Sequence, residues 1–320
     1  MPDLDAIFKA YDVRGLAPGQ LDAELCGRIG AAFARFVLDT GEATPPTRVV
    51  VARDMRPTGV ELAAAFAEGV QRQGLDVVDL GLASTDLMYF ASGHLDAPGA
   101  MFTASHNPAE YNGIKMCLAG ARPIGEDTGL ADIKKLAVVG VDPAPTAPGH
   151  LESMNLLGAF ADHVRSFVDL SALRPMKVVA DTANGMGGLV VPAVFEGLPV
   201  ELDLLYPELD GTFPNHPADP IQPENLRDLQ ARVRETGADV GLAFDGDADR
   251  VFLVDDQGEP LSGSITTAIV AKGVLAKETH HQVIRFAPPL TITEEELEFA
   301  LDAATGRLVW AVQTSSEASL

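Results

Sequence analysis

Apolar side chains recur near a 3.6-residue period between residues 21 and 38, where Leu21, Leu25, Ile29, Phe33, Phe36 and Val37 share one face, so this stretch predicts an amphipathic helix. The period then changes. RVVVA at 48–52 is a short, continuous apolar run of the kind a buried strand shows, and the charged residues Arg53, Asp54 and Arg56 follow it. Pro57 stands near the start of a second helix, ELAAAFAEGVQRQ, which is expected to end at Gly74. LDVVDLG reads as another strand, TDLMYFASG as a short helix and GAMFT at 99–103 as a further buried strand. Buried strands alternating with helices predict an α/β layer with largely parallel pairing.

The segment GVDPAPTAPGH at 140–150 holds three prolines and no periodicity, which makes it the best linker candidate. After a helix expected near 152–170 the alternation resumes. MKVVAD, VELDLLY, DVGLAFD and RVFLVDD read as strands, PENLRDLQARVRETG as a helix, and residues 262–277 as a helix opening a third unit. Asn184-Gly-Met-Gly-Gly lacks the G-x-G-x-x-G spacing of a dinucleotide loop; small residues letting a helix pack closely are the better reading.

Two motifs carry the chemistry. In the first, Ser105, His106, Asn107 and Pro108 follow the strand GAMFT, Asn112 and Gly113 suggest a second turn, and Lys115 is a cation able to reach an anion at the serine. Taken alone, Ser105 reads equally well as a phosphoryl carrier or as a simple turn or helix cap. The second motif, FDGDADR at 244–250, crowds Asp245, Asp247 and Asp249 behind the apolar run VGLAF. Two unit charges about 4 Å apart repel by about 4 kcal/mol at an effective dielectric near 20, so the trio calls for a cation. A hard divalent ion with oxygen ligands suits it, Mg²⁺ acting on phosphate in particular; a solvated acidic turn is the plain alternative. An EF-hand is excluded, because Arg250 stands where its glycine belongs and Asp256 where its glutamate belongs. A Ser105–His106 hydrolase reading is weak, since no G-x-S-x-G elbow is present.

Composition narrows the partners. The 320 residues carry 23 Lys and Arg against 46 Asp and Glu, a formal charge of -23 with no basic stripe, which argues against nucleic acid and anionic membranes. Two cysteines, Cys26 and Cys117, make no disulfide framework and read as small core residues. No signal peptide or membrane-length apolar run is visible, so a cytoplasmic location is expected. At roughly one domain per 150 residues, the chain predicts two or three domains.

YDVRG at 11–15, TASHNP at 103–108, NGIK at 112–115 and DGDADR at 245–250, in that order, resemble the α-D-phosphohexomutases, most closely the bacterial phosphomannomutases, over roughly residues 1–278. The resemblance implies successive three-layer αβα domains with mixed, largely parallel sheets. Domain I would span 1–149 with the phosphoserine loop and domain II 150–256 with the metal loop. Residues 257–320 would hold a partial domain III with an unrelated tail, and the fourth domain would be absent. It also implies that Ser105 carries the phosphoryl group and joins Asp245, Asp247 and Asp249 in holding one Mg²⁺. Arg14 and Lys115 would face the reacting hydroxyl and phosphate, Lys115 as an acid–base or electrostatic group, and Tyr11, His106 and Arg250 would line the same site. To act as a base near neutrality Lys115 would need a lowered pKa.

The implied activity is interconversion of hexose 6-phosphate and hexose 1-phosphate, mannose first and glucose second, through a hexose 1,6-bisphosphate that also acts as activator, with turnover expected to be impaired by the truncation. The sugar-recognition loop and phosphate clamp of the family are not found after residue 278. VIRFAPPLTITEEELEFALDAA at 283–304 instead resembles the C-terminal segment of class III aminotransferases, and Thr293 and Glu296 have capping-box spacing. That tail is too short for an aminotransferase and brings no Schiff-base lysine, so pyridoxal phosphate is not expected. A silent sugar-phosphate binder and a weak phosphatase are the two alternatives. The oligomeric state stays open.

Overall fold

The computed structural model describes residues 4–41 and 48–263. The expected helix at 262–277 lies almost entirely outside them, as does the segment 283–304. In chain order the elements are α1 (Leu4–Ile7), β1 (Val13–Leu16), α2 (Ala23–Asp39), β2 (Arg48–Arg53), α3 (Gly59–Gln71), β3 (Asp76–Leu82), α4 (Thr85–Leu95), β4 (Gly99–Phe102), β5 (Tyr111–Leu118), β6 (Arg122–Pro123), α5 (Leu130–Val139) and β7 (Leu151–Ser153). Next come α6 (Leu157–Arg165), β8 (Met176–Asp181), α7 (Gly187–Phe195), β9 (Val200–Leu205), α8 (Arg227–Thr236), β10 (Val240–Phe244) and β11 (Val251–Val254). Helix α2 starts where Asp22 accepts a hydrogen bond from the Leu25 N–H at 2.8 Å.

Seven strands form the first sheet, in the order β1-β5-β4-β2-β3-β7 with β6 beside β5; four form the second, in the order β11-β10-β8-β9. The inner strands pair in parallel, while β1, β5, β6 and β11 run antiparallel. The period-2 alternation within β2 shows how the layers are built. Val49 and Val51 face a core shared with α2, α3 and α5, whereas Val50 and Ala52 face a second core. That second core contains Leu87 and Met88 of α4, Phe160 of α6, Val190 of α7 and Ala180 of β8, so the middle helices are sandwiched between the two sheets. On the far side of the second sheet, Leu229 and Val233 of α8 cover Val179 and Ala243. The α/β expectation with mixed sheets is met, and the two sheets share one helical layer. Among the described residues no helix is long and apolar enough to cross a membrane.

Three expectations shift. Asn112 and Gly113 do not form a turn but lie inside β5, opposite Gly15 and Arg14 of β1. A Cβ at Gly113 would meet the Val13 carbonyl at 2.4 Å and the Thr103 carbonyl at 2.8 Å, so the glycine is there to let two strands close on a third. The helix expected at 152–170 is shorter, Leu157–Arg165, because β7 first adds to the edge of the first sheet beside β3. Segment 140–150 is tied along α3 by the bonds Ala144 N–H to Arg72 O and Gly149 N–H to Gln71 O. It therefore delivers β7 to the first sheet, past the expected boundary at 149.

A long connection, residues 206–222, runs from β9 back toward the first sheet. Asn184 holds it by donating to the Glu208 carbonyl at 2.9 Å and accepting from Asn215 at 2.8 Å, and His216 Nε2 meets Asp181 Oδ2 at 3.0 Å. Burial works to lower the His216 pKa, but the Asp181 hydrogen bond and charge outweigh it, so the imidazolium is favoured above its ordinary range. A raised histidine pKa contributes stability below about pH 6.5, and that contribution is lost as the pH climbs through the folded value. His216→Asn is therefore expected to cost about 2 kcal/mol at pH 6 and clearly less at pH 9; urea unfolding at both pH values checks it, and equal losses would remove the ion pair from the account.

Candidate functional site

The site is built where the first sheet's β4 and the second sheet's β10 end side by side. Just after β4, the Thr103 hydroxyl accepts the Ser105 N–H at 2.9 Å, and Ser105 itself takes a left-handed backbone, φ +51°. A non-glycine residue holds that conformation only when its surroundings impose it, at a cost on the order of 1 kcal/mol. Arg56 imposes it. Its fully buried guanidinium donates to the carbonyls of Ser105 (3.0 Å), Asn107 (2.7 Å), Pro108 (2.7 Å) and Tyr111 (3.0 Å), and its Nε donates to Asp54 Oδ2 at 3.2 Å. The ring of Phe213, from the long connection, lies 5.1 Å from this guanidinium.

The loop after β10 comes up against this turn backbone to backbone. A Cβ at Gly246 would sit 2.5 Å from the Ser105 carbonyl, so only glycine permits the approach. Ser105 Oγ then donates to Asp245 Oδ2 at 2.7 Å. Ligand oxygens of Asp245, Asp247 and Asp249 lie within 4.8 Å of one another. Lys115, reaching from β5, donates to Asp247 Oδ2 (2.7 Å) and Asp249 Oδ2 (2.6 Å). Arg250 donates to Asp245 Oδ2 through Nε (2.9 Å) and Nη2 (2.6 Å), and Nη2 also touches Ser105 Oγ and His106 Nδ1.

The charges answer one another. Burial, then Asp247 and Asp249, push the Asp245 carboxyl up to about 7. Burial acts the same way on Asp247, but Lys115 outweighs it and holds that carboxyl below its ordinary range. Burial works to lower the Lys115 pKa, yet the two aspartates win and hold it above the usual lysine range, which fits an electrostatic role and not a base. Burial and the neighbouring Arg250 lower the His106 pKa, leaving a neutral ring whose Nδ1 can accept. His106 Nδ1 stands 3.4 Å from Ser105 Oγ, a loose contact.

Arg14 reaches the same loop, donating to Asn107 Oδ1 at 2.7 Å and to Asp12 Oδ2 at 2.6 Å. Tyr11 stands apart: it is 83% exposed and lies beside Gly125, with no hydrogen bond to the cluster among the described residues. Ser105, His106, Lys115, Arg250 and the three aspartates thus meet in one place, with Arg14 at its edge. Arg56, Asp54 and Thr85 were not foreseen. The signal for the first two was present, since charged residues directly after a buried strand sit at the carboxyl end of the sheet, where α/β folds place their ligands. Thr85, whose hydroxyl donates to Asp247 Oδ2 at 2.6 Å, left no such signal.

The donor set fits a hard divalent cation. All candidate ligands are oxygens, and Asp247 Oδ1 is buried with no hydrogen-bond partner among the described residues, an orphan acceptor that a cation would satisfy.

Models of the phosphoglucomutase/phosphomannomutase family match this chain twice, as alpha/beta/alpha domain I at residues 5–137 and domain II at residues 158–258. The phosphomannomutase of Salmonella montevideo is 39% identical over 296 residues, 90% of this chain and 63% of its own length. A protein of Xanthomonas campestris named for phosphohexose mutases is 40% identical over 294 residues, 91% and 63% of the two chains. A crystal structure of a phosphoglucomutase/phosphomannomutase family protein from Burkholderia thailandensis superposes with a TM-score of 0.77 at 37% identity, covering 86% of this chain and 59% of that one. The chain spans less than two thirds of the length of the curated relatives it matches.

Removing the Arg56 guanidinium leaves Asp54 buried without its ion-pair partner and takes one donor from each of four carbonyls. Arg56→Met is expected to cost about 3–5 kcal/mol of stability. Urea unfolding checks this, and a loss inside the range of a surface substitution would mean that the loop holds itself.

Proposed function

Because the chain belongs to the phosphoglucomutase/phosphomannomutase family, of which it carries domains I and II, we propose that it moves a phosphoryl group between Ser105 and a hexose phosphate. The reaction class is that of a phosphomannomutase: a hexose 6-phosphate and its 1-phosphate are interconverted, with mannose the first substrate and glucose the second. The observation that carries this reading is the contact of Ser105 Oγ with Asp245 Oδ2 at 2.7 Å, made by two loops 140 residues apart, in a cluster that also gathers Lys115 and Arg250.

In the forward step the sugar hydroxyl oxygen forms a bond to phosphorus while the bond from phosphorus to Ser105 Oγ breaks. The sugar hydroxyl loses one proton and the serine hydroxyl regains one, so the exchange balances. A covalent phosphoserine splits one transfer into two and lets a hexose 1,6-bisphosphate both form as the intermediate and recharge the enzyme. Lys115 and Arg250, kept charged by the aspartates, face the charge spread over the non-bridging oxygens. His106, held neutral, offers Nδ1 beside the serine oxygen, and Arg14 anchors the Asn107 end of the turn. Asp245, Asp247, Asp249 and the serine oxygen would hold Mg²⁺, which when bound supplies Lewis-acid polarisation of the phosphoryl oxygens.

Incubation with mannose or glucose 1,6-bisphosphate and Mg²⁺ is expected to add one phosphoryl group, seen as a shift in intact mass, and Ser105→Ala is expected to abolish it. Incorporation that persists in the Ser105 variant would place the acceptor elsewhere. Lys115→Met is expected to slow phosphoryl transfer by about 100-fold or more while leaving Ser105 in place; rapid-quench measurement of the transfer rate reads this, and an unchanged rate would leave the lysine with a structural part only.

A further inference from the structure

Thr85 opens α4 in the first domain, yet both of its hydrogen-bond donors are given to the second domain's acidic loop, while its hydroxyl oxygen lies 3.5 Å from Lys115 Nζ. Its hydroxyl donates to Asp247 Oδ2 at 2.6 Å, and its backbone N–H donates to the Asp247 carbonyl at 3.1 Å. The N–H is free to do so because the first amides of a helix have no partner inside it. The capping duty of α4 falls instead to Ser84, whose Oγ accepts the Leu87 N–H at 3.1 Å. Thr85 and Asp247 are 1% and 0% exposed.

The consequence lies in how the two carboxylate oxygens of Asp247 differ. Oδ2 receives two donors, Thr85 Oγ1 and Lys115 Nζ at 2.7 Å, whereas Oδ1 is buried and receives none from the described residues. A carboxylate turns readily about its last torsion, and Lys115 cannot fix it alone, because its flexible ammonium also serves Asp249. The threonine is short, β-branched and stiff, with its backbone bonded to the same residue, so it sets the plane of the carboxylate.

We propose that Thr85 is a positioning residue that turns Asp247 so that Oδ1 faces the cation position, which couples metal binding in the second domain to α4 of the first. This rests on the metal-site reading above. Partners that orient metal ligands are typically worth 10–100-fold in metal affinity.

Titration calorimetry with Mg²⁺ alone, on the full chain, compares the parent with Thr85→Val and Thr85→Ser. The expected result is about 10–100-fold weaker Mg²⁺ binding for Thr85→Val and near-parent binding for Thr85→Ser, which keeps the hydroxyl. A residue that merely filled space would lower the melting temperature and leave the Mg²⁺ affinity of the folded protein unchanged. Parent-like binding by Thr85→Val, or equal weakness of Thr85→Ser and Thr85→Val, overturns the proposal. Should Thr85→Val fail to fold, Thr85→Ala removes the hydroxyl without pressing a methyl group on the carboxylate and is read the same way. A parent that binds no Mg²⁺ overturns the metal site and this proposal together, whereas a binding parent with an unaffected Thr85→Val overturns this proposal alone.

Discussion

Three carboxylates whose oxygens lie within 4.8 Å of one another, two of them fully buried, repel each other by several kcal/mol unless positive charge reaches them. The rest of the site is arranged around that requirement. The nearest positive groups come from different parts of the chain: Lys115 from a strand of the first sheet and Arg250 from the acidic loop itself. In a chain of formal charge -23 these cations are scarce, and the site sets two of them against three carboxylates, so that neighbouring charges and not the molecule's total set the local field.

Bringing a serine to that field is a packing problem. Its turn is held by a guanidinium that gives all five of its donors to four carbonyls and one carboxylate, and the acidic loop slides against it because Gly246 carries no side chain. The shared helical layer provides the rigid base. Helices α4, α6 and α7 bury residues against both sheets, so the carboxyl ends of β4 and β10 keep their relative position while their loops do chemistry. Long-range hydrogen bonds then cross at the loops themselves, including those from Thr85 and Ser105.

Much of the fold was legible because its signals are local. The 3.6 period of α2, the valine run of β2 and the proline before α3 each follow from the preferences of a few neighbouring residues. Asn112-Gly113 misled for the same reason: the dipeptide favours turns in isolation, but Gly113 answers to the carbonyls of Val13 and Thr103, which no local pattern reports. The α6 boundary shifted likewise, since β7 pairs with β3 some 74 residues earlier in the chain.

The amino-acid sequence by itself determined the layer type, the two loops and the chemical character of their residues, because apolar periodicity and crowded carboxylates are properties of short stretches. Only the tertiary structure decided which groups work together. That Lys115 stays charged, that His106 stays neutral, that Arg56 is buried under the serine turn and that one oxygen of Asp247 meets no donor among the described residues all depend on distances between residues far apart in the chain. Burial and electrostatic coupling act through space, and a linear pattern carries no record of them.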